Sequence, residues 1–230
     1  MSTRADDIQV LLAGSAAIHE RIKGEYAASL KKKETSDLRL DVKHMLETLR
    51  SVLDYLAHDI RETHCTSADP KARFYFPILP DRTKFEDYMK RWFPDLASTC
   101  ADLWRYLESV QPYHAGYGWL TEFKRVNNES KHDRLVGQER REKLGGTRIT
   151  TPGVGSISWV PGVRFSRGIS VMGAPIDPKS QLPIPRPGQV VERIVWVDFT
   201  FEGTQISVQQ LLDSAQKGIA KIATEGRRWL

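Results

Sequence analysis

The chain has 230 residues, 40% hydrophobic and 27% charged, a globular composition with length for one large core or two small ones. No apolar run approaches the ~20 residues that cross a bilayer. The longest candidate, Ile8 to Ile18, is broken by Gly14 and Ser15 and lacks the basic start of a secretory signal, so a cytoplasmic protein without a membrane partner is expected. Two separated cysteines, Cys65 and Cys100, form no CxxC, and in a reducing compartment no structural disulfide is expected. A net charge of +5 and a pI near 9.2 permit a nucleic-acid partner without specifying one.

Residues 6–30 read as a long amphipathic helix, with Ile8, Leu11, Leu12, Ala16, Ile22 and Tyr26 near helical spacing. KKKETSD (31–37) is a charged turn in which Ser36 or Asp37 can cap the next helix. That helix, about 38–63, carries the stripe Val42, Met45, Leu46, Leu49, Leu53, Leu56 and Ile60, so the two helices should form an antiparallel hairpin. The segment 66–83 is Pro-interrupted, with Phe74, Phe76 and Ile78 available to anchor it on a bundle. A short helix over 84–92, a longer one over 97–110, the turn QPYHAGYG and a helix over 119–135 follow.

From residue 137 the character changes. GQERREKLGG (137–146) is charged and Gly-bounded and reads as a mobile linker, and GGTRITTPGVG (145–155) reads as a loop. SISWV and GVRFSRGISVM are short strand candidates, KSQLPIPRPGQ is a Pro-rich loop, and VERIVWVDFTF (191–201) is the best strand pattern in the chain. Ser207-Val-Gln-Gln210 fits a capping box ahead of a closing helix. The expected fold is α+β: an antiparallel helical bundle over 1–138, then a small antiparallel β-region with its closing helix over 139–230, either a separate domain or packed with the bundle as one.

The sharpest candidate chemistry lies in RVNNESKHDRL (125–135). Seven residues along a helix return to nearly the same direction, so Arg125 and His132 share a face with Asn128 between them. Such a strip offers a phosphate ligand, an orienting amide and a proton carrier near neutral pH, the equipment for attack on an RNA phosphodiester by its own 2′-hydroxyl. A structural reading competes with it. Asn127 and Lys131 continue the buried side of this helix, and Asp54 or Arg50 on the second helix could reach them. His58, His64 and Cys65 cluster without any zinc spacing, and no phosphate loop, nucleophile elbow or dinucleotide fingerprint is present; neither a metal nor a cofactor is expected.

A mainly four-helix bundle with Arg-x6-His on a late helix resembles the HEPN superfamily (higher eukaryotes and prokaryotes nucleotide-binding). The likeness covers roughly residues 4–136. A closer likeness is to a bacterial family with LRS-x-LD-x-LA, FPI, QPY and NN-x-x-KH, matched in order by LRSVLDYLA (49–57), FPI (76–78), QPY (111–113) and NNESKH (127–132). That family brings no established activity with it. The HEPN resemblance implies a metal-independent RNA endonuclease of toxin or phage-defence type, acting as a homodimer on RNA. In it His132 would be the general acid or base, Arg125 would hold the scissile phosphate, and Asn128 would orient phosphate or ring. The alternative it allows is a non-catalytic HEPN-like binding or dimerisation module, with Trp159, Phe165 and Trp196 of the β-region as the recognition surface.

Overall fold

In the computed structural model, residues 3–32, 37–132 and 135–230 are described, apart from the side chains of residues 30–32, 131, 132 and 196. Ser36, Asp133 and Arg134 thus lie outside the described residues. The fold is α+β. The chain divides into two compact units, one of Met1–Glu139 with Phe199–Leu230 and the other of Arg140–Asp198.

The first unit is helical. Helix α1 (Arg4–Lys32) and helix α2 (Arg39–His64) are antiparallel neighbours: Arg4 reaches Asp59 and Glu62, while Arg21 reaches Asp41. Every residue of the expected α2 stripe is buried, so tertiary burial of one face sustains the helix. Asp37 accepts a hydrogen bond from the Arg39 amide at 3.2 Å at its start. Helix α3 (Arg82–Trp92) is capped by Asp81, whose carboxylate accepts from the Lys84 amide at 2.8 Å.

The single helix expected over 97–110 is instead two, α4 (Leu96–Thr99) and α5 (Ala101–Ser109). At the break, the Thr99 hydroxyl bonds back to the Asp95 and His64 carbonyls and Cys100 leaves helical geometry at φ −149°. A local side-chain bond of this kind competes with helix continuation. Helix α6 spans Trp119–His132 and helix α7 spans Val208–Gly226, followed by a 3-10 turn at Arg227–Trp229. Ser207 caps α7 and accepts from the Gln210 amide at 3.4 Å.

The sequence boundary at 138/139 grouped α7 with the β-region, and here the structure differs. Residues Phe199–Leu230 join the bundle, because the α7 stripe Val208, Leu211, Leu212, Ala215, Ile219 and Ile222 is buried against α2 and α6. Gly218 lies so close to the Trp119 ring that a Cβ would collide with it, and Gly226 sits on Leu56.

Strands β1 (Gln138–Thr151), β2 (Gly155–Trp159) and β5 (Val190–Phe201) form a sheet in the order β2-β1-β5, of which Arg140–Asp198 belong to the second unit. Strands β1 and β2 pair antiparallel from Thr147↔Trp159 to Thr151↔Gly155. A two-residue hairpin pairs β3 (Ser170–Val171) with β4 (Ala174–Pro175), all that remains of the strand expected over 162–172. The linker expected at 137–146 is the first half of β1, and the expected loop at 145–155 continues that strand to Thr151. The physical reason is visible at Gly146, where a Cβ would strike the Trp159 carbonyl. This glycine marks close strand approach and not a turn. No helix among the described residues is long and apolar enough to cross a membrane.

Candidate functional site

Between Phe74 and Leu79 the chain forms neither helix nor strand, yet Phe74, Phe76 and Ile78 are buried as expected. Buried backbone polar groups need partners, and here helix side chains supply them. The Tyr88 hydroxyl accepts from the Tyr75 amide at 3.0 Å and donates to the Tyr75 carbonyl at 2.8 Å. Asp54 accepts from the Phe76 amide at 2.8 Å, and Arg50 donates to the Phe76 carbonyl at 3.1 Å. Gln111 donates to the Pro77 carbonyl at 3.1 Å and accepts from the Leu79 amide at 3.0 Å. Lys124 donates to the Ile78 carbonyl at 3.0 Å. This strap is therefore pinned by five side chains drawn from α2, α3, α6 and the turn after α5.

The strap forms one wall of a cleft of about 340 Å³, lined also by Arg50, Asp54, Tyr88, Lys124, Asn127 and Asn128. Arg50 and Asp54 form an ion pair at 3.0 Å with side chains only 13% and 20% exposed. The Lys124 ammonium is held below its ordinary pKa, first by desolvation and then by the Arg50 guanidinium. Tyr75 is 60% exposed, with the Arg50 guanidinium 5.7 Å from its ring centre. Asn127 is 2% exposed, and its Oδ1 has no hydrogen-bond partner among the described residues. An acceptor left in that state costs about 1–3 kcal/mol, so a cleft that keeps one retains an unmet demand for a donor.

All four motifs read from the sequence meet here: LRSVLDYLA through Arg50 and Asp54, FPI as the strap, QPY through Gln111, and NNESKH through Asn127 and Asn128. Of the residues expected to carry catalysis, Asn128 lines the cleft. Arg125 does not. It is 43% exposed on the outer side of α6, where it bonds Glu122 at 3.0 Å and approaches Glu129 at 3.5 Å. His132 ends α6 one turn past Asn128, and its side chain, like that of Lys131, lies outside the described residues. Asp54 is taken by Arg50 and the Phe76 amide.

The sequence reading missed Lys124, Gln111 and Tyr88. The available signal was a Pro-containing segment with alternating aromatic residues, whose backbone required partners that no sheet could give. His64 bonds the Trp229 carbonyl at 2.8 Å, and His58 rests against Phe74. Among the described residues no group of His, Cys, Asp and Glu could hold a metal. No family model, curated protein or solved structure matches the chain.

Proposed function

We propose that the chain is a HEPN-like binding module whose ligand is a nucleotide-sized anion held in the cleft of the helical unit. The observation that carries this reading is the buried, unpartnered Asn127 Oδ1 beside two cationic groups, Arg50 and Lys124. A primary amide pairs with the donor and acceptor edge of a nucleobase, Tyr75 offers an exposed ring for stacking, and the Lys124 ammonium suits a phosphate. The described residues of the cleft supply binding groups. The one carboxylate there, Asp54, is already paired. The test is calorimetry with AMP and ATP on the parent and on Asn127→Leu. Binding to the parent and at least a tenfold loss in the variant are expected; no heat with either nucleotide overturns the reading.

The second reading is the metal-independent RNA endonuclease of toxin or phage-defence type, acting as a homodimer. It is favoured by Asn128 lining the cleft and by the exposure of Arg125 on the same helix, where a phosphate would have to displace two glutamates. Its test is incubation with total RNA in the presence of chelator. Cleavage by the parent that is lost in His132→Ala supports it, and equal cleavage by both proteins removes it.

A further inference from the structure

The net charge is not shared between the two units. Residues 140–198 hold nine Lys and Arg against four Asp and Glu, a net +5, whereas the rest of the chain holds 25 against 25. The whole excess thus sits on 59 residues. The two halves also differ in how they use charge. In the helical unit cations are paired across helices, as in Arg4 with Asp59 and Glu62, Arg21 with Asp41, and Arg227 with Asp59. In the β-unit Arg148, Arg164, Arg167, Arg186 and Arg193 are all exposed and have no ion-pair partner among the described residues. Three of the four acids there are engaged: Glu142 pairs with Arg140 at 2.8 Å, Asp177 accepts from the Lys179 and Ser180 amides, and Asp198 has a partner of its own.

The placement of these arginines is informative. Arg148 stands opposite Ser158 in the β1–β2 ladder, with Thr150 opposite Ser156 on the same face. That face is a strip of hydroxyls and a guanidinium, and Ser156, Ser158 and Arg148 are exposed. Trp159 alternates with Ser158 and so stands on the other face of this ladder; beyond β2, Arg164 and Arg167 bracket Phe165, whose ring meets Trp159 edge-on with centres 5.3 Å apart. Both rings are half-exposed.

We infer that the β-unit is a docking surface for single-stranded nucleic acid, gripped through its phosphates by unpaired arginines and stacked through its bases on the Trp159–Phe165 pair. Seven of the nine cations are arginine, the residue whose planar fork takes a phosphate in two bonds and also stacks. Strand β2 is the edge of its sheet, so a single strand that turns round this edge meets the aromatic pair on one side and, on the other, the Ser156 and Ser158 hydroxyls, neutral donors to phosphate oxygens. Aromatic rings beside cationic groups are the recurrent means of holding unpaired bases. An acidic lipid surface is the competing polyanion, because Val154, Val160 and Ile184 are also exposed. Those aliphatic side chains, however, stand singly in turns and strand ends and form no amphipathic stripe of the kind that enters a bilayer interface. This inference is independent of the ligand proposed for the helical cleft.

The experiment is fluorescence anisotropy of a labelled oligoribonucleotide of about 20 nucleotides against the full chain across a salt series. The triple variant Arg148→Gln/Arg164→Gln/Arg167→Gln and the variant Trp159→Ala/Phe165→Ala are measured beside it, with circular dichroism as the fold check. Exposed, unpaired arginines can be neutralised without breaking an ion pair, so the triple variant should fold. The expected result is binding that weakens with salt, at least tenfold weaker in the triple variant, with the slope of log affinity against log salt reduced by about 2, roughly 0.7 for each phosphate no longer neutralised. The aromatic variant should weaken binding while leaving the slope unchanged. No binding by the parent, or an unchanged slope in the triple variant, overturns the proposal. So does sedimentation of the parent with phosphatidylserine vesicles in the absence of RNA binding. Because the triple variant keeps the helical cleft, its AMP calorimetry should equal the parent's, which separates failure here from failure of the cleft reading.

Discussion

Gln111 is fully buried and uses its whole amide, donating to the Leu107 and Pro77 carbonyls and accepting from the Leu79 amide. Gln111→Ala strands a buried carbonyl and a buried amide of the strap together, so a loss of about 3–4 kcal/mol is expected by urea denaturation. Asn127 should behave in the opposite way. Its Oδ1 is unsatisfied, so Asn127→Leu, similar in volume, is expected to leave unfolding stability unchanged or raise it by about 1 kcal/mol, even as ligand is lost; a clear destabilisation would show that the amide serves the fold. At this scale the sequence was informative about where chemistry gathers and less so about which atoms do it. Arg125 was drawn into the candidate site by helical spacing alone. Spacing fixes direction about the axis, but it does not reveal that Glu122 and Glu129, one turn to either side, are the nearer partners. Lys124 escaped notice because its partner is a backbone carbonyl 46 positions away, which no local pattern encodes.

Among elements, those held by a continuous apolar stripe were legible. Helix α2 and the closing helix α7 follow the 3.6-residue period closely, and the structure buries those same positions. Strand β1 was hidden, since GQERREKLGG alternates no apolar residues and its glycines mimic a turn; what makes it a strand is pairing on one side with β5, distant in sequence, and on the other with the adjacent β2. The approach of α7 to α6 offers a direct check. In an exposed helix Gly→Ala gains about 1 kcal/mol, but at Gly218 the new methyl would enter the Trp119 ring. Gly218→Ala is therefore expected to destabilise, by about 1–3 kcal/mol, with Gly218→Ala/Trp119→Leu recovering much of the loss in thermal unfolding.

For the molecule as a whole, the buried His19 sets an acid limit. It is 5% exposed, and its Nε2 lies 3.2 Å from Asp213 without hydrogen-bond geometry. Burial first, and then the Lys23 ammonium, hold its pKa below the ordinary imidazole value, against the opposing pull of Asp213 and Glu20. A group whose folded pKa is depressed favours the folded state above its unfolded pKa, near 6.5, and that contribution is lost as pH falls toward the folded value. Unfolding stability should thus decline from about pH 6.5 downward, and His19→Gln should flatten the decline; an identical profile in the variant would place the acid sensitivity elsewhere. The division of the chain carries one more consequence. The stripe of α2 is sealed by a helix that begins only at Val208, after the β-unit has been spelled out. During synthesis, then, the apolar side of α2 leaves the ribosome long before its lid does, and the nascent chain must shelter it meanwhile. A stop codon ahead of Val208 is expected to yield insoluble protein rather than a shorter working bundle.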